Sequence, residues 1–185
     1  MERFWFVKED RVDGVLLRHR DSRALSTLSC FVVPDGLYHV ESRISVVGEI
    51  RNWQHSAFSD VSNGVQHNWI RQPHWPRDTI PSFGMLDLVG EWLVHDPHGS
   101  RLPVTVLSES QQVPTPRPVD LVRQGDRITE MRGSEAGNSH RIADGIVVET
   151  EWRGNRTVLA DQAPQQLPDQ VAAAVADWQA RVGVS

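Results

Sequence analysis

Hydrophobic and polar residues alternate along most of the chain, and this period of two is typical of β-strands with one buried face. Turn dipeptides separate the alternating segments, among them Asp35-Gly36, Asn63-Gly64 and Gly125-Asp126. Many short strands with such turns between them predict an all-β, mainly antiparallel fold. We therefore expect a small β-barrel or strongly curved sheet over residues 1–165, lipocalin-like in architecture.

The clearest single element is a hairpin over residues 142–160, turning at Gly154-Asn155. A two-residue loop there gathers the apolar positions onto one face: Ile146, Val148, Thr150, Trp152, Thr157 and Leu159. The other face is largely charged, so the pattern predicts a half-buried antiparallel pair. Similar alternation predicts a strand over residues 38–50 and a hairpin over residues 119–131.

The segment Phe83–His95 predicts another long strand. Its apolar side consists of Leu86, Leu88, Trp92 and Val94. Glycines within a strand indicate bends or the close approach of a neighbour, as a closing barrel requires, and Gly84 and Gly90 occupy such positions.

Only the C-terminal residues show a helical period. Val171, Val175, Trp178 and Val182 recur at steps of four, three and four, which forms one apolar stripe. Pro168 and Asp169 suit a first helical turn, and Gly183 suits a helix end. We expect a helix over residues 167–183 that lies across the barrel or over one of its mouths, so that residues 1–185 form one β-rich domain.

The composition excludes several classes of protein but does not identify a function. The chain has 185 residues, 39% hydrophobic and 23% charged, which is typical of a globular protein with a sizeable core. A formal charge of −5 argues against nucleic-acid binding, and the only close basic group, Arg18, Arg20 and Arg23, is interpreted as a solvated strand end. A single cysteine, Cys30, excludes an internal disulfide. The N-terminus does not resemble a signal peptide and no apolar run spans a membrane, so we expect a cytoplasmic location.

The segment from Asn52 to Asp78 concentrates unusual side chains. It holds three tryptophans and three histidines: Trp53, Trp69, Trp75, His55, His67 and His74. Tryptophan offers a flat apolar wall, and histidine moves protons near neutral pH. Two interpretations stay open: a pocket for an aromatic, polyene or sugar-like ligand, or a long loop that folds its aromatic residues over a barrel end. The histidines lack the spacing of metal ligands, so we expect neither a metal nor a cofactor.

A second group of candidates comes from the predicted strand Phe83–His95, where Asp87, Glu91 and His95 alternate onto one face. Steps of four residues separate them by roughly 13 Å in a strand, so each needs a partner from a neighbouring strand. If the face lines a cavity, these three and His67 are candidate proton donors and acceptors. If it faces outward, they are simply solvated. Trp92, Met85 and Tyr38 complete the candidate lining of such a cavity, although Tyr38 also suits an ordinary core position.

Three functions fit these observations. The first is a small-molecule enzyme with a Trp- and His-lined barrel cavity, which achieves cyclisation, isomerisation or elimination without a cofactor by folding its substrate. The second is a non-catalytic binder or carrier of a hydrophobic ligand. The third is a protein–protein interaction module that uses a tryptophan-rich loop. The expected partner is a hydrophobic or aromatic small molecule, not nucleic acid or a membrane, and a homodimer stays open.

Overall fold

A single sheet dominates the computed structural model, which describes residues 1–8, 11–152, 154–160 and 167–184. The described strands are β1 (Glu2–Lys8), β2 (Arg11–Arg20), β3 (Ala24–Val33), β4 (Gly36–Val47), β5 (Glu49–Asp60), β6 (Val65–Ile70), β7 (Thr79–Pro81), β8 (Arg101–Leu107), β9 (Arg117–Gln124), β10 (Arg127–Arg132), β11 (Glu135–Ala143), β12 (Ile146–Trp152) and β13 (Asn155–Leu159). A 3-10 turn, Ser82–Gly84, leads into helix α1 (Met85–His95), and helix α2 spans Asp169–Val182.

The strand order is β6-β5-β4-β3-β2-β1-β13-β12-β11-β10-β9-β8-β7. Every neighbouring pair is antiparallel except β7 and β8, which run parallel. The hydrogen-bonded ladder is open, because β6 and β7 end it without pairing to each other. Its two ends nevertheless approach, since the indole Nε1 of Trp53 on β5 donates to the carbonyl oxygen of Thr79 on β7, at 2.7 Å. The prediction of a mainly antiparallel, strongly curved sheet is confirmed.

Helix α2 covers the outer face of the sheet. Val171, Ala174 and Trp178 are buried against Leu28 and Cys30, which alternate on one face of β3. The predicted apolar stripe is therefore confirmed. The helix ends at Gly183, whose φ of 75° is easily adopted only without a side chain.

Helix α1 lies on the opposite, inner face, and here the prediction of a strand over Phe83–His95 is wrong. Its buried residues recur at helical spacing: Met85, Leu88, Val89, Trp92 and Leu93. Apolar residues are so dense in this segment that they satisfy a period of two as well as a period of 3.6, so alternation alone could not separate the two. Val94, expected on the apolar side, is 76% exposed.

Two further predictions, for residues 38–50 and residues 52–78, are wrong. Residues 38–50 do not form one strand, because the chain reverses at Gly48, which has a φ of 72°. Residues 52–78 are not a long loop, since β5 and β6 pair through most of the segment and place Trp53 in the core, fully buried. The apolar positions of this alternation, Val40, Ile44, Val46 and Ile50, are buried, and so is His39, which the alternation places on the outward face.

The hairpin of β12 and β13, in the middle of the sheet, is confirmed with a shift in register. Trp152 pairs with Asn155 and Thr150 pairs with Thr157, so the register differs by two residues from that of a loop at Gly154-Asn155, while Thr150, Trp152 and Thr157 share one face as predicted. The bulge where β11 meets β12 leaves Ile146 52% exposed and buries the next residue, Val147, instead. The predicted hairpin over residues 119–131 is confirmed as β9 and β10.

Candidate functional site

A pocket of about 350 Å³ opens to solvent between the inner face of the sheet and the N-terminal end of α1. This volume lies within the range of about 300–1,000 Å³ that small-molecule sites occupy. Its walls are Phe6, Leu16, Arg18, Thr27, Ser29, Phe31, Tyr38, Ser82, Phe83, Met85, Leu86, Glu130, Asn138, His140, Thr150, Trp152 and Thr157. The lining combines apolar and polar side chains. Five of the polar ones lie on β10–β13, namely Glu130, Asn138, His140, Thr150 and Thr157, and the others are Arg18, Thr27, Ser29 and Ser82.

One cross-strand row forms the back wall of this pocket. The register aligns His140, Thr150, Thr157, Phe6, Gly14, Phe31 and Tyr38 on seven adjacent strands. Neighbouring strands are about 4.8 Å apart, so the row follows the curved sheet for roughly 29 Å. It changes along its length from polar residues to aromatic ones, which gives the pocket a polar end and an aromatic end.

Aromatic rings in mutual contact form the aromatic end. The centroids of Phe6 and Phe31 are 4.4 Å apart, those of Phe31 and Tyr38 are 4.6 Å apart, and Trp152 meets Phe6 edge-on at 5.3 Å. Gly14 makes this possible, because a Cβ atom there would overlap with the backbone of β3 and with Cβ of Phe31. Burial raises the pKa of Tyr38, and the nearby Asp60 adds to the effect, so the hydroxyl stays neutral.

The polar end is a buried hydrogen-bonded network. His140 lies with Nε2 at 3.3 Å from Oε1 of Glu130 and with Nδ1 at 2.9 Å from Oγ1 of Thr150. The same Oε1 accepts a hydrogen bond from Nδ2 of Asn138 at 3.1 Å. An ionised carboxylate only accepts hydrogen bonds, so Nε2 of His140 carries the hydrogen and, in a neutral ring, Nδ1 accepts from Thr150. The network is a hydroxyl, an imidazole and a carboxylate in series.

An ion-pair cluster fastens α1 to the sheet beside the pocket. Arg18 contacts both Glu2 and Asp87, and Arg20 reaches Asp87 at 2.8 Å. The side chain of Arg18 is only 7% exposed, so its interpretation as part of a solvated strand end is wrong. Glu91 accepts a hydrogen bond from the backbone N–H of Ile50 at 2.8 Å, and burial raises its pKa despite this bond.

A second buried acid, Glu109, stabilises the part of the pocket wall formed by Ser82 and Phe83. It has no exposed surface, and Oε1 accepts hydrogen bonds from the hydroxyls of Ser42, at 2.8 Å, and Ser56. Oε2 accepts from Ser82 at 3.3 Å and from the N–H of Phe83 at 2.8 Å. Desolvation by burial raises the pKa of this carboxyl above its usual value, against the effect of these bonds. Glu109 thereby ties the Ser82–Phe83 wall of the pocket to β4 and β5.

Of the residues predicted from the sequence, Tyr38 and Met85 line the pocket. Asp87, Glu91 and His95 lie instead in a groove outside it. On a helix, steps of four residues rise by about 6 Å, not 13 Å, which is why they share one groove. Asp87 and Glu91 are engaged by arginines, and the His95 side chain is 64% exposed with Nε2 at 2.9 Å from Glu49.

The predicted tryptophans and His67 do not line this pocket. Trp53 and Trp92 are core residues, and Trp75 stacks on Trp53 at a centroid distance of 6.1 Å. Trp69 and His67 face the segment after β8: Nε1 of Trp69 donates to the Glu109 carbonyl oxygen at 3.3 Å, and Nδ1 of His67 is 3.0 Å from that of Gln111.

Sequence reasoning missed Glu130, His140, Phe6 and Phe31. A signal existed for Glu130, because it shares a face with the apolar Ile128 in a predicted hairpin, and a charged residue at an inward position is informative. Thr150 and Trp152 were assigned to the correct face without a role. Nothing in the local pattern distinguishes Glu109 from a solvated acid in a loop.

Comparisons with known proteins identify a similar fold but no activity. No protein family model matches the chain, and no curated protein gives a significant match. The chain is similar to a solved crystal structure of a DUF1089 family protein from Pseudomonas aeruginosa, with 11% sequence identity and a TM-score of 0.50 over 75% of this chain and 88% of that chain. Similarity at this identity concerns the fold alone. Within the described residues, neither helix is long and apolar enough to cross a bilayer.

Proposed function

We propose that the protein binds a small amphipathic molecule in the pocket between α1 and the inner face of the sheet. The observation that carries the proposal is the graded row from His140 to Tyr38, which lines one open pocket with polar groups at one end and aromatic rings at the other. A ligand with an apolar body and a polar head matches this gradient. Its apolar part would cover Phe31, Tyr38 and Trp152, which the free protein leaves partly exposed.

The arrangement supports binding over catalysis by Asp87 and Glu91. Both oxygens of Asp87 contact arginines, and Oε1 of Glu91 accepts a hydrogen bond from the N–H of Ile50, so these groups attach α1 to the sheet. It also favours binding over a role for the tryptophans in protein recognition, because Trp53 and Trp92 are buried. The pocket walls are held from both sides, by Arg18 with Asp87 and by Glu109. A preformed site of this kind loses little entropy when its ligand binds.

The test uses N-phenyl-1-naphthylamine, an uncharged aromatic dye whose fluorescence rises when it leaves water. We expect saturable binding at one site per chain. Phe31→Ala removes a wall of the aromatic end and should weaken binding about tenfold, which corresponds to about 1.4 kcal/mol. Val32→Ala is the matched control, because Val32 is the next residue on β3, lies on the opposite face and is 42% exposed.

Denaturation curves for both variants establish that each is folded before binding is compared. If the dye does not bind, or if the two substitutions change its affinity equally, the proposal is wrong. A specific loss in Phe31→Ala with unchanged affinity in Val32→Ala supports it.

A second candidate function is chemistry on the bound molecule, and the network of Glu130, His140 and Thr150 is the observation that favours it. A carboxylate that orients an imidazole, which in turn accepts a hydrogen bond from a hydroxyl, is an arrangement suited to proton transfer. Small molecules that copurify with wild-type protein and with His140→Gln are compared by mass spectrometry. Catalysis predicts different molecules in the two samples, as substrate replaces product. Identical molecules in both samples would support binding without catalysis.

A further inference from the structure

Glu130 brings a partly unsatisfied carboxylate to the wall of the pocket. Both hydrogen bonds to its side chain, from Asn138 and from His140, go to Oε1. Among the described residues, no donor lies within hydrogen-bonding distance of Oε2. The described residues contain five polar side-chain atoms that are sealed from solvent without a partner, and Oε2 of Glu130 is not one of them. Oε2 therefore keeps some contact with solvent, and Glu130, whose side chain is only 3% exposed, lines the pocket.

The charge of Glu130 is not balanced by an arginine or a lysine of the described chain. Its one ion-pair partner there is His140, which is charged only when protonated. Arg18 is the other charged residue of the pocket wall, but it already contacts two carboxylates, Glu2 and Asp87. Arg20 is likewise engaged, by Asp87 and Glu91. Among the described residues, the carboxyl at the polar end of the pocket therefore has no free arginine or lysine beside it.

The aromatic end suits the apolar body of a ligand. Phe6, Phe31 and Tyr38 form a contiguous aromatic surface along the row that begins at His140. An anionic head at the polar end would meet the Glu130 carboxylate, which is unfavourable to it. A neutral polar head would leave the charge of Glu130 uncompensated in an apolar site.

We infer that the ligand is an apolar molecule carrying one protonated amine, and that Oε2 of Glu130 receives the ammonium group. This inference rests on the proposed binding function and specifies its ligand class. The ammonium would donate to Glu130 at the polar end, and the apolar body would extend along Thr157 and Phe6 toward Phe31. Glu130 is then the residue that determines specificity for charge.

The experiment measures displacement of N-phenyl-1-naphthylamine at pH 7 by three competitors with the same chain: decylamine, decanol and decanoate, each below its micellar concentration. We expect decylamine to displace the dye at a concentration at least about tenfold lower than decanol, and decanoate to be the weakest. In Glu130→Gln the advantage of decylamine over decanol should fall to about twofold or less, because decylamine binds more weakly.

Glu135→Gln is the matched control, because Glu135 is an exposed acid on β11, next along the chain from the strand of Glu130. It removes the same charge from a chain of formal charge −5, so it reports nonspecific attraction of an amine. The order of the three competitors on the wild-type protein tests the charge preference even if Glu130→Gln fails to fold.

The outcomes separate the two proposals. Equal displacement by decylamine and decanol, or a preference for decylamine that persists in Glu130→Gln, overturns the inference and leaves the binding function standing. Failure of the dye itself to bind overturns the binding function, and the inference with it. A preference for decylamine that Glu130→Gln removes and Glu135→Gln retains supports both.

Discussion

Replacing Glu109 by glutamine tests whether one buried carboxyl makes the stability of the fold depend on pH. Burial raises the pKa of Glu109 above its usual 4.5, and the hydrogen bonds it accepts offset this only in part. As pH rises, the carboxyl of the unfolded chain loses its proton near 4.5, whereas that of the folded chain keeps it to a higher pH. The folded state therefore binds more protons in this window. Consequently, the free energy of unfolding falls as the pH rises from about 4.5 to the folded-state pKa.

The size of the effect follows from the same linkage. One group contributes a slope of at most about 1.4 kcal/mol per pH unit within its window. Glutamine has no proton to lose there, so Glu109→Gln lacks this contribution. Its amide nitrogen can face Ser42 and Ser56, whose hydroxyls rotate to accept, while its oxygen still accepts from Phe83. We expect the variant to be about 1 kcal/mol less stable than the wild type near pH 4.5, and this deficit to shrink and then reverse as the pH rises.

The assay is urea unfolding followed by tryptophan fluorescence between pH 4.5 and 8, with the free energy of unfolding compared at each pH. Glu91 also has a raised pKa, but both proteins contain it, so its contribution cancels in the difference. Glu135→Gln, at an exposed site, controls for the loss of one acid. A difference between wild type and Glu109→Gln that stays constant, or that grows in favour of the wild type with rising pH, would refute the reasoning.

Two further predictions concern Gly14 and Cys30. Gly14→Ala should lower the free energy of unfolding by about 1–3 kcal/mol or more, because the added Cβ overlaps with the backbone of β3; Gly90→Ala, on α1 with open space around its Cβ, should instead raise it by about 1 kcal/mol. Urea denaturation of both variants checks the pair, and equal effects would contradict it. Cys30 is fully buried and desolvation raises its pKa to about 12, so only about one thiol in 10,000 is a thiolate at pH 8. A disulfide reagent should therefore label the unfolded chain rapidly and the native protein hardly at all, and rapid labelling of native protein would count against this burial.

Local patterns predicted the β-rich fold and several individual strands, because alternation is a property of neighbouring residues. The hairpin of β12 and β13, the hairpin of β9 and β10 and helix α2 each carry their own signal within about 20 residues. In each of them one face is apolar and the other is polar, so the period is unambiguous. Phe83–His95 has no such contrast, and its helix was missed for that reason.

The candidate site was predicted much less well. Tyr38 and Met85 were named, but Asp87, Glu91 and His95 were spaced as on a strand and given a catalytic role, whereas α1 turns them toward a groove outside the pocket. Unusual composition was also a poor guide to the site. The tryptophans between residues 52 and 78 drew attention because tryptophan is rare, yet Trp53 serves the core by joining the two ends of the sheet.

By itself, the sequence determined which face of each well-patterned strand is buried, where several turns fall, and that the C-terminal helix carries an apolar stripe. Only the tertiary structure decided that His140, Thr157, Phe6 and Tyr38 form one row, because that row depends on the register of strands far apart in the chain. The pairing of β1 with β13 brings the two halves of the sheet together, and α1 fills only part of the resulting concave face. The polar and aromatic ends of the pocket therefore arise from register and curvature, which no local period encodes.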